Sequence, residues 1–129
     1  MMEHVGYQTG HVHGTVHTRA HYWGNRQQRK GRLINAAETE GFHLYAMEWR
    51  PDRIDFFVDG SPYFSYLRGV EYTWQTWPFD QPFHLVLNLA VGGNWGRAGG
   101  AIDAKALPQH LLIESVRLYQ QASTLTASD

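Results

Sequence analysis

The residues best equipped for chemistry crowd the first seventeen positions. Glu3 and His4 are followed by His11, His13 and His17, so a carboxylate and several imidazoles fall within one short run. A carboxyl group can give or take a proton, and an imidazole can do so near neutral pH or ligate a metal. Val12, Gly14 and Val16 alternate with His11, His13, Thr15 and His17, the period-two pattern of a strand with one packed and one polar face. His13, Thr15 and His17 then share the polar face. Alternate imidazoles on a strand allow a metal-site reading. Against it, no Asp, Cys or third His has ligand spacing on that face, so no metal is expected. The plain reading of His13 is a strand histidine hydrogen-bonded to backbone.

The rest of the chain must position these groups. Its 129 residues, 43% hydrophobic and 14% aromatic, suffice for one packed domain and are too few for two. A net charge of -1 gives no broad basic field, so neither nucleic acid nor an anionic membrane is an expected partner. The absence of cysteine excludes disulfides and thiolate chemistry. No run approaches the roughly 18 apolar residues of a membrane span, and the N-terminus lacks the features of a signal peptide.

Residues 19–41 carry Arg19, Arg26, Arg29, Lys30 and Arg32 among glycine and amides, which reads as a long solvated loop. Tyr22 or Trp23 could stack on a ligand at its rim. Strand signals follow at 42–49 and 53–58, with Asp59-Gly60 as a tight turn and 63–66 completing a hairpin. Pro62 makes that last strand start late or lie near an edge. Trp74 and Trp77 read as core rings. Residues 83–91 form the most apolar run and read as a buried central strand, which would require Asn88 to find hydrogen-bond partners or face a polar cleft. Gly92, Gly93, Gly96, Gly99 and Gly100 surround Asn94 and Trp95 in a loop holding one large ring. A final strand is predicted at 111–119, then a polar tail at 121–129. With no helix of ordinary length, the pattern is that of an all-β sandwich.

Six blocks, in order, carry a family resemblance: Met2-Glu3-His4-Val5-Gly6; the His-Gly-Thr-Val-His run at 13–17; Tyr45-Ala46-Met47-Glu48-Trp49; Phe57-Val58-Asp59-Gly60; Pro82-Phe83 with Leu87-Asn88-Leu89-Ala90-Val91-Gly92-Gly93-Asn94-Trp95; and Val116-Arg117-Leu118-Tyr119-Gln120. Together they resemble the laminarinase-like (endo-1,3-β-glucanase) branch of glycoside hydrolase family 16. The resemblance implies a jelly-roll β-sandwich of the concanavalin A-like lectin/glucanase type, incomplete at the N-terminal side. Residues 1–120 would be the C-terminal portion of one such domain.

It also implies retaining hydrolysis of β-glucan polysaccharides or oligosaccharides, at endo-1,3 or mixed 1,3/1,4 linkages. That chemistry uses a nucleophile and a proton donor about 5–5.5 Å apart. In the family's Glu-x-Asp-x-x-Glu motif, alternation and a bulge aim the acids at one cleft. Glu3 takes the last position and resembles the general acid/base. The first Glu and the Asp would precede residue 1, so the nucleophile is absent and the chain is expected to be a fragment with little or no hydrolytic activity. Unpaired strand edges and uncovered apolar faces should follow.

By the same resemblance His17 lines the cleft, with His13, Trp49, Asn88 and Trp95 as candidate sugar contacts. Trp49 reads almost equally as a core ring. Family members often hold a structural calcium, for which nothing in the sequence identifies ligands, and no other cofactor is implied. The full-length parent is expected to be monomeric and extracellular. The rival function is a non-catalytic, lectin-like sandwich that binds glucan through aromatic rings.

Overall fold

The structure, a computed structural model, describes residues 1–34 and 41–121. Two three-stranded antiparallel sheets form its folded part. The first joins β1 (Met2–Glu3), β2 (His11–Val16) and β3 (Arg29–Ile34) in that order, and the second joins β4 (Tyr45–Trp49), β5 (Arg53–Val58) and β6 (Ser61–Leu67). A single helical turn, α1 (Gly93–Gly96), and three 3-10 turns complete the regular structure of the described residues.

The alternation in β2 and β5 explains how the sheets meet. Val12 and Val16 on β2, and Ile54, Phe56 and Val58 on β5, are buried. Val16, Ile54 and Phe56 join Tyr66 and Trp77 in one cluster, against which Tyr63, Phe64 and Phe79 pack. Each large apolar side chain so buried contributes about 1.5–3 kcal/mol. Gly14 and Gly31 face each other across β2 and β3, leaving a hollow filled by β6. A Cβ on Gly31 would lie 2.6 Å from Phe64 Cβ. Glycine is required there for the close approach of the two sheets.

The β5–β6 turn is the two-residue one expected, with Asp59 at φ 49° and Gly60 at φ 77°, the left-handed pair that matches strand twist. The Asp59 carboxylate accepts from Leu44 N at 2.9 Å and from His43 Nδ1 at 2.7 Å, pinning the entry to β4. On the face of β5 away from the core, buried Asp55 accepts two hydrogen bonds from Arg53, at 2.6 and 2.7 Å, and one from Ser65 Oγ at 2.5 Å. These bonds hold the Asp55 carboxyl below the usual carboxylate range, Arg53 first among them, although burial opposes the shift.

Several expectations require correction. The loop read over 19–41 contains β3, whose Arg29, Lys30 and Arg32 line a sheet edge; charged side chains there protect an open strand edge. Residues 35–40 lie outside the described residues, as do residues 122–129 of the expected tail. β6 starts at Ser61 rather than late, and Pro62 is accommodated by a register shift opposite Phe56 and Phe57, at an edge strand as its missing donor demands. Trp77 is 1% exposed, the core ring expected, whereas Trp74 is 66% exposed. The turn closed by Thr76 N and Trp77 N on Thr73 O points Trp74 outward.

Residues 83–91 and 111–119 are not strands in the described structure, and their apolar side chains are exposed. Strand pairing needs a neighbour on at least one backbone edge, and among the described residues neither segment has one. Asn88 is accordingly exposed instead of buried. The expected uncovered apolar faces are present.

Candidate active site

The pairing of β1 with β2 places Glu3 directly opposite His13, so both side chains project from the same face of the sheet. The turn between the strands closes through Gln8 N on Val5 O and His11 N on Gln8 O, at 3.0 and 3.2 Å. That turn brings Gln8 back over β2, where its Oε1 lies 3.1 Å from His13 Nε2 and accepts from it. His11 stacks beside His13 with ring centroids 6.4 Å apart. Burial pushes the His13 imidazole below its ordinary pKa; the Glu3 carboxylate pulls it back up, while His11, Arg32 and Lys30 add to the lowering. His13 is therefore neutral at pH 7, a hydrogen-bonding group rather than a cation.

The glycine-rich segment supplies the third member. Gly92 and Gly93 take φ of 82° and 69°, which a glycine adopts without strain, and turn the chain into α1. From there Trp95 meets His13 edge to face, with centroids 5.1 Å apart and planes at 76°, and stays 40% exposed. The segment is held by Tyr7, whose ring and Cβ occupy the space a side chain on Gly99 would need. Glu3, His13 and Trp95 thus form one surface: a carboxyl group, a neutral imidazole and an open aromatic face. Such a surface can donate a proton and seat an apolar ring.

The other predicted positions stand apart from this trio. His17 lies one residue beyond β2, half-buried, with its Nε2 atom buried and lacking a hydrogen-bond partner among the described residues. Trp49 belongs to the second sheet and packs edge-on against Phe83 at 5.8 Å, while 42% exposed, so it is part packing ring and part surface. Asn88 sits in the uncovered segment. Tyr22 and Trp23 are exposed at the 3-10 turn after β2. Sequence reasoning missed Gln8 and Tyr7, whose roles depend on a turn bringing them across the sheet; no local pattern marks them.

A shared metal on His13 and His17 is overturned by distance. Four residues of strand separate them by about 13 Å, far beyond two bonds to one ion. Among the described residues no group of three or more His, Asp or Glu side chains is placed to hold a cation.

The first sheet sets the Glu3 carboxyl group opposite His13, which carries the half-open Trp95 ring, and comparison with known proteins specifies the class of protein to which this arrangement belongs. Residues 1–106 match the profile of glycosyl hydrolases family 16. The chain belongs to that family. It is 45% identical over 124 residues to the β-glucanase of Rhodothermus marinus, covering 93% of this chain and 43% of that protein. The solved laminarinase from Rhodothermus marinus superposes with a TM-score of 0.77 at 45% identity, covering 83% of this chain and 44% of that one. SCLam, a non-specific endo-β-1,3(4)-glucanase crystallised as a mutant with an oligosaccharide at its active site, superposes with a TM-score of 0.76 at 38% identity, over 83% of this chain and 41% of its own. The chain spans less than half the length of these relatives. Its two sheets follow the jelly-roll sandwich of the family.

Proposed function

We propose that this chain provides the proton-donating side of a β-glucan hydrolase acting on internal 1,3 or mixed 1,3/1,4 linkages. The observation that carries the reading is the placement of Glu3 opposite His13, whose ring in turn meets Trp95, in a family-16 chain. In this reading the Glu3 carboxyl protonates the glycosidic oxygen as its bond to the sugar breaks, then accepts a proton from the water that releases the glycosyl intermediate. Trp95 seats a sugar ring, and His13, fixed by Gln8, hydrogen-bonds a sugar hydroxyl. By the family resemblance His17 lines the same cleft. Trp49 and Asn88 contact sugar further along the cleft.

Retaining chemistry needs a second carboxylate about 5–5.5 Å from the first, and by the motif that group belongs before Met1. Residues 1–129 alone then bind glucan and cleave it little or not at all. The test is reducing-end release from a β-1,3-glucan by the purified chain, together with calorimetric binding of a β-1,3-linked glucose oligosaccharide. Binding weakened by Trp95→Ala, with negligible release, is the expected outcome. Release abolished by Glu3→Gln would overturn the need for an outside nucleophile, and absent binding would overturn the glucan site. The 1–120 segment acts in this account as one portion of a single sandwich domain.

A further inference from the structure

A second concavity lies away from the surface formed by Glu3, His13 and Trp95. It encloses about 340 Å³ between the start of β3, the end of β6 and the turn that follows, with Arg29, Tyr66, Glu71 and Tyr72 among its walls. Arg29 pairs with buried Val16, three residues along β2 from His13, so it projects from the opposite face of the sheet to Glu3. The walls are tied together. Tyr66 Oη donates to Thr76 O at 2.5 Å, Ala20 N to Gln75 O at 2.9 Å, and Trp77 N to Thr73 O at 2.7 Å. Tyr66 is also fixed by stacking on buried Trp77, with ring centroids 5.5 Å apart. The pocket is therefore preformed, and a ligand entering it pays little for ordering the chain.

Its charges define what fits. Neither Arg29 nor Glu71 has an ion-pair partner among the described residues. Burial pushes the His21 imidazole, another wall of the pocket, below its ordinary pKa and the Tyr66 phenol above its own; the nearby Arg29 guanidinium adds to the first shift and opposes the second. His21 is neutral at pH 7 and leaves one positive and one negative group in the lining. A simple anion would be drawn to Arg29 and repelled by Glu71, and a cation the reverse. A sugar suits both, because each hydroxyl can accept from the guanidinium and donate to the carboxylate. Tyr72 is 43% exposed; the Arg68 guanidinium lies 4.4 Å from its ring centroid, and the open part of the ring borders the pocket, where the apolar C–H face of a pyranose can pack on it. We infer that this pocket is a second, non-catalytic sugar site that binds one neutral hexose unit of a glycan, on the side of the first sheet away from Glu3. Its volume, near the lower end for ligand pockets, suits one ring rather than a chain. The choice of glucose as probe rests on the function proposed above; the site itself stands on Arg29, Glu71 and Tyr72.

The experiment titrates the full, isotopically labelled chain with a β-1,3-linked glucose disaccharide and follows side-chain resonances. Saturable shifts of the Tyr72 ring and His21 imidazole signals are expected, and they persist in Trp95→Ala. Tyr72→Ala and, separately, Arg29→Gln with Glu71→Gln should each weaken this binding, read at His21, by about tenfold or more. All three side chains are exposed, so the His13 and Trp95 signals of the sugar-free variants should keep their wild-type positions and certify the fold. Tyr72 and His21 signals that stay unmoved overturn the inference, whatever Trp95 and His13 do. Shifts that inorganic phosphate or free glycine reproduces overturn it as well, since they mark an ion site. Movement of Tyr72 and His21 with Trp95 and His13 silent overturns the proposed glucan cleft and leaves this site standing; the converse pattern overturns this site alone.

Discussion

The contact between Tyr7 and Gly99 holds Trp95 beside His13, and Gly99→Ala tests it. An added Cβ would sit 2.5 Å from Tyr7 Cγ and 2.6 Å from Cδ1, and closer still to Tyr7 Cβ, where ordinary contacts begin at 3.4 Å. The shortfall is about 0.9 Å, and because Tyr7 Cβ is fixed to the backbone a ring rotation cannot relieve it. Gly99 does not occupy the left-handed region, so backbone strain contributes nothing and the effect is steric alone. Overpacking of this kind costs about 1–3 kcal/mol, or roughly 4–12 °C in Tm at about 4 °C per kcal/mol. Denaturant melts of wild type, Gly99→Ala, Tyr7→Gly and the double variant form a cycle. In the Tyr7→Gly background the alanine should cost almost nothing, giving a coupling energy close to the full single-variant loss. The Trp95 indole resonance, one of five tryptophan signals, should shift with Gly99→Ala. An unchanged melt together with an unmoved Trp95 signal would refute the proposed clamp.

Other expectations follow from the same coordinates. Trp77→Ala should cost about 3–5 kcal/mol in a urea melt because the ring is buried in the central cluster, while exposed Trp74→Ala should stay within about 0.5 kcal/mol. Asp55 has its pKa lowered in the folded state, so its contribution is present above the unfolded value of about 3.9 and lost as pH falls toward the lowered one. Urea midpoints should therefore drop below about pH 4, and Asp55→Asn should flatten that drop. The Glu3 carboxylate raises the His13 pKa against the dominant effect of burial; Glu3→Gln should move the His13 midpoint further down in an NMR titration, and an upward move would contradict their pairing.

The alternation in β2 and the Asp59-Gly60 turn were readable from the sequence because both follow from local geometry: side chains alternate by residue, and a two-residue turn needs left-handed backbone. β3 was hidden by its own edge position, where Arg29, Lys30 and Arg32 resemble a solvated loop until Leu33 and Ile34 are seen paired with Val12 and His11. Residues 83–91 show the opposite limit. Their pattern reports what those side chains would need as a strand, a covering layer and hydrogen-bonded neighbours, and the described residues provide neither. The same limit applies to the site. Glu3 and His13 could be assigned through the blocks they sit in, and Trp95 as a ring among glycines, but Gln8 and Tyr7 act across turns, where contact depends on the folded path. Trp74 and Trp77 are alike in sequence and differ only through the turn at Thr73.

The measurement closest to the central claim is a titration of the isotopically labelled chain with a β-1,3-linked glucose oligosaccharide, followed through side-chain resonances. The account predicts saturable shifts of the Trp95 indole and His13 imidazole signals, with Trp77 unmoved, and loss of those shifts in Trp95→Ala. Shifts confined to Trp23 and Trp74 on the outer surface, with Trp95 and His13 unchanged, would contradict it.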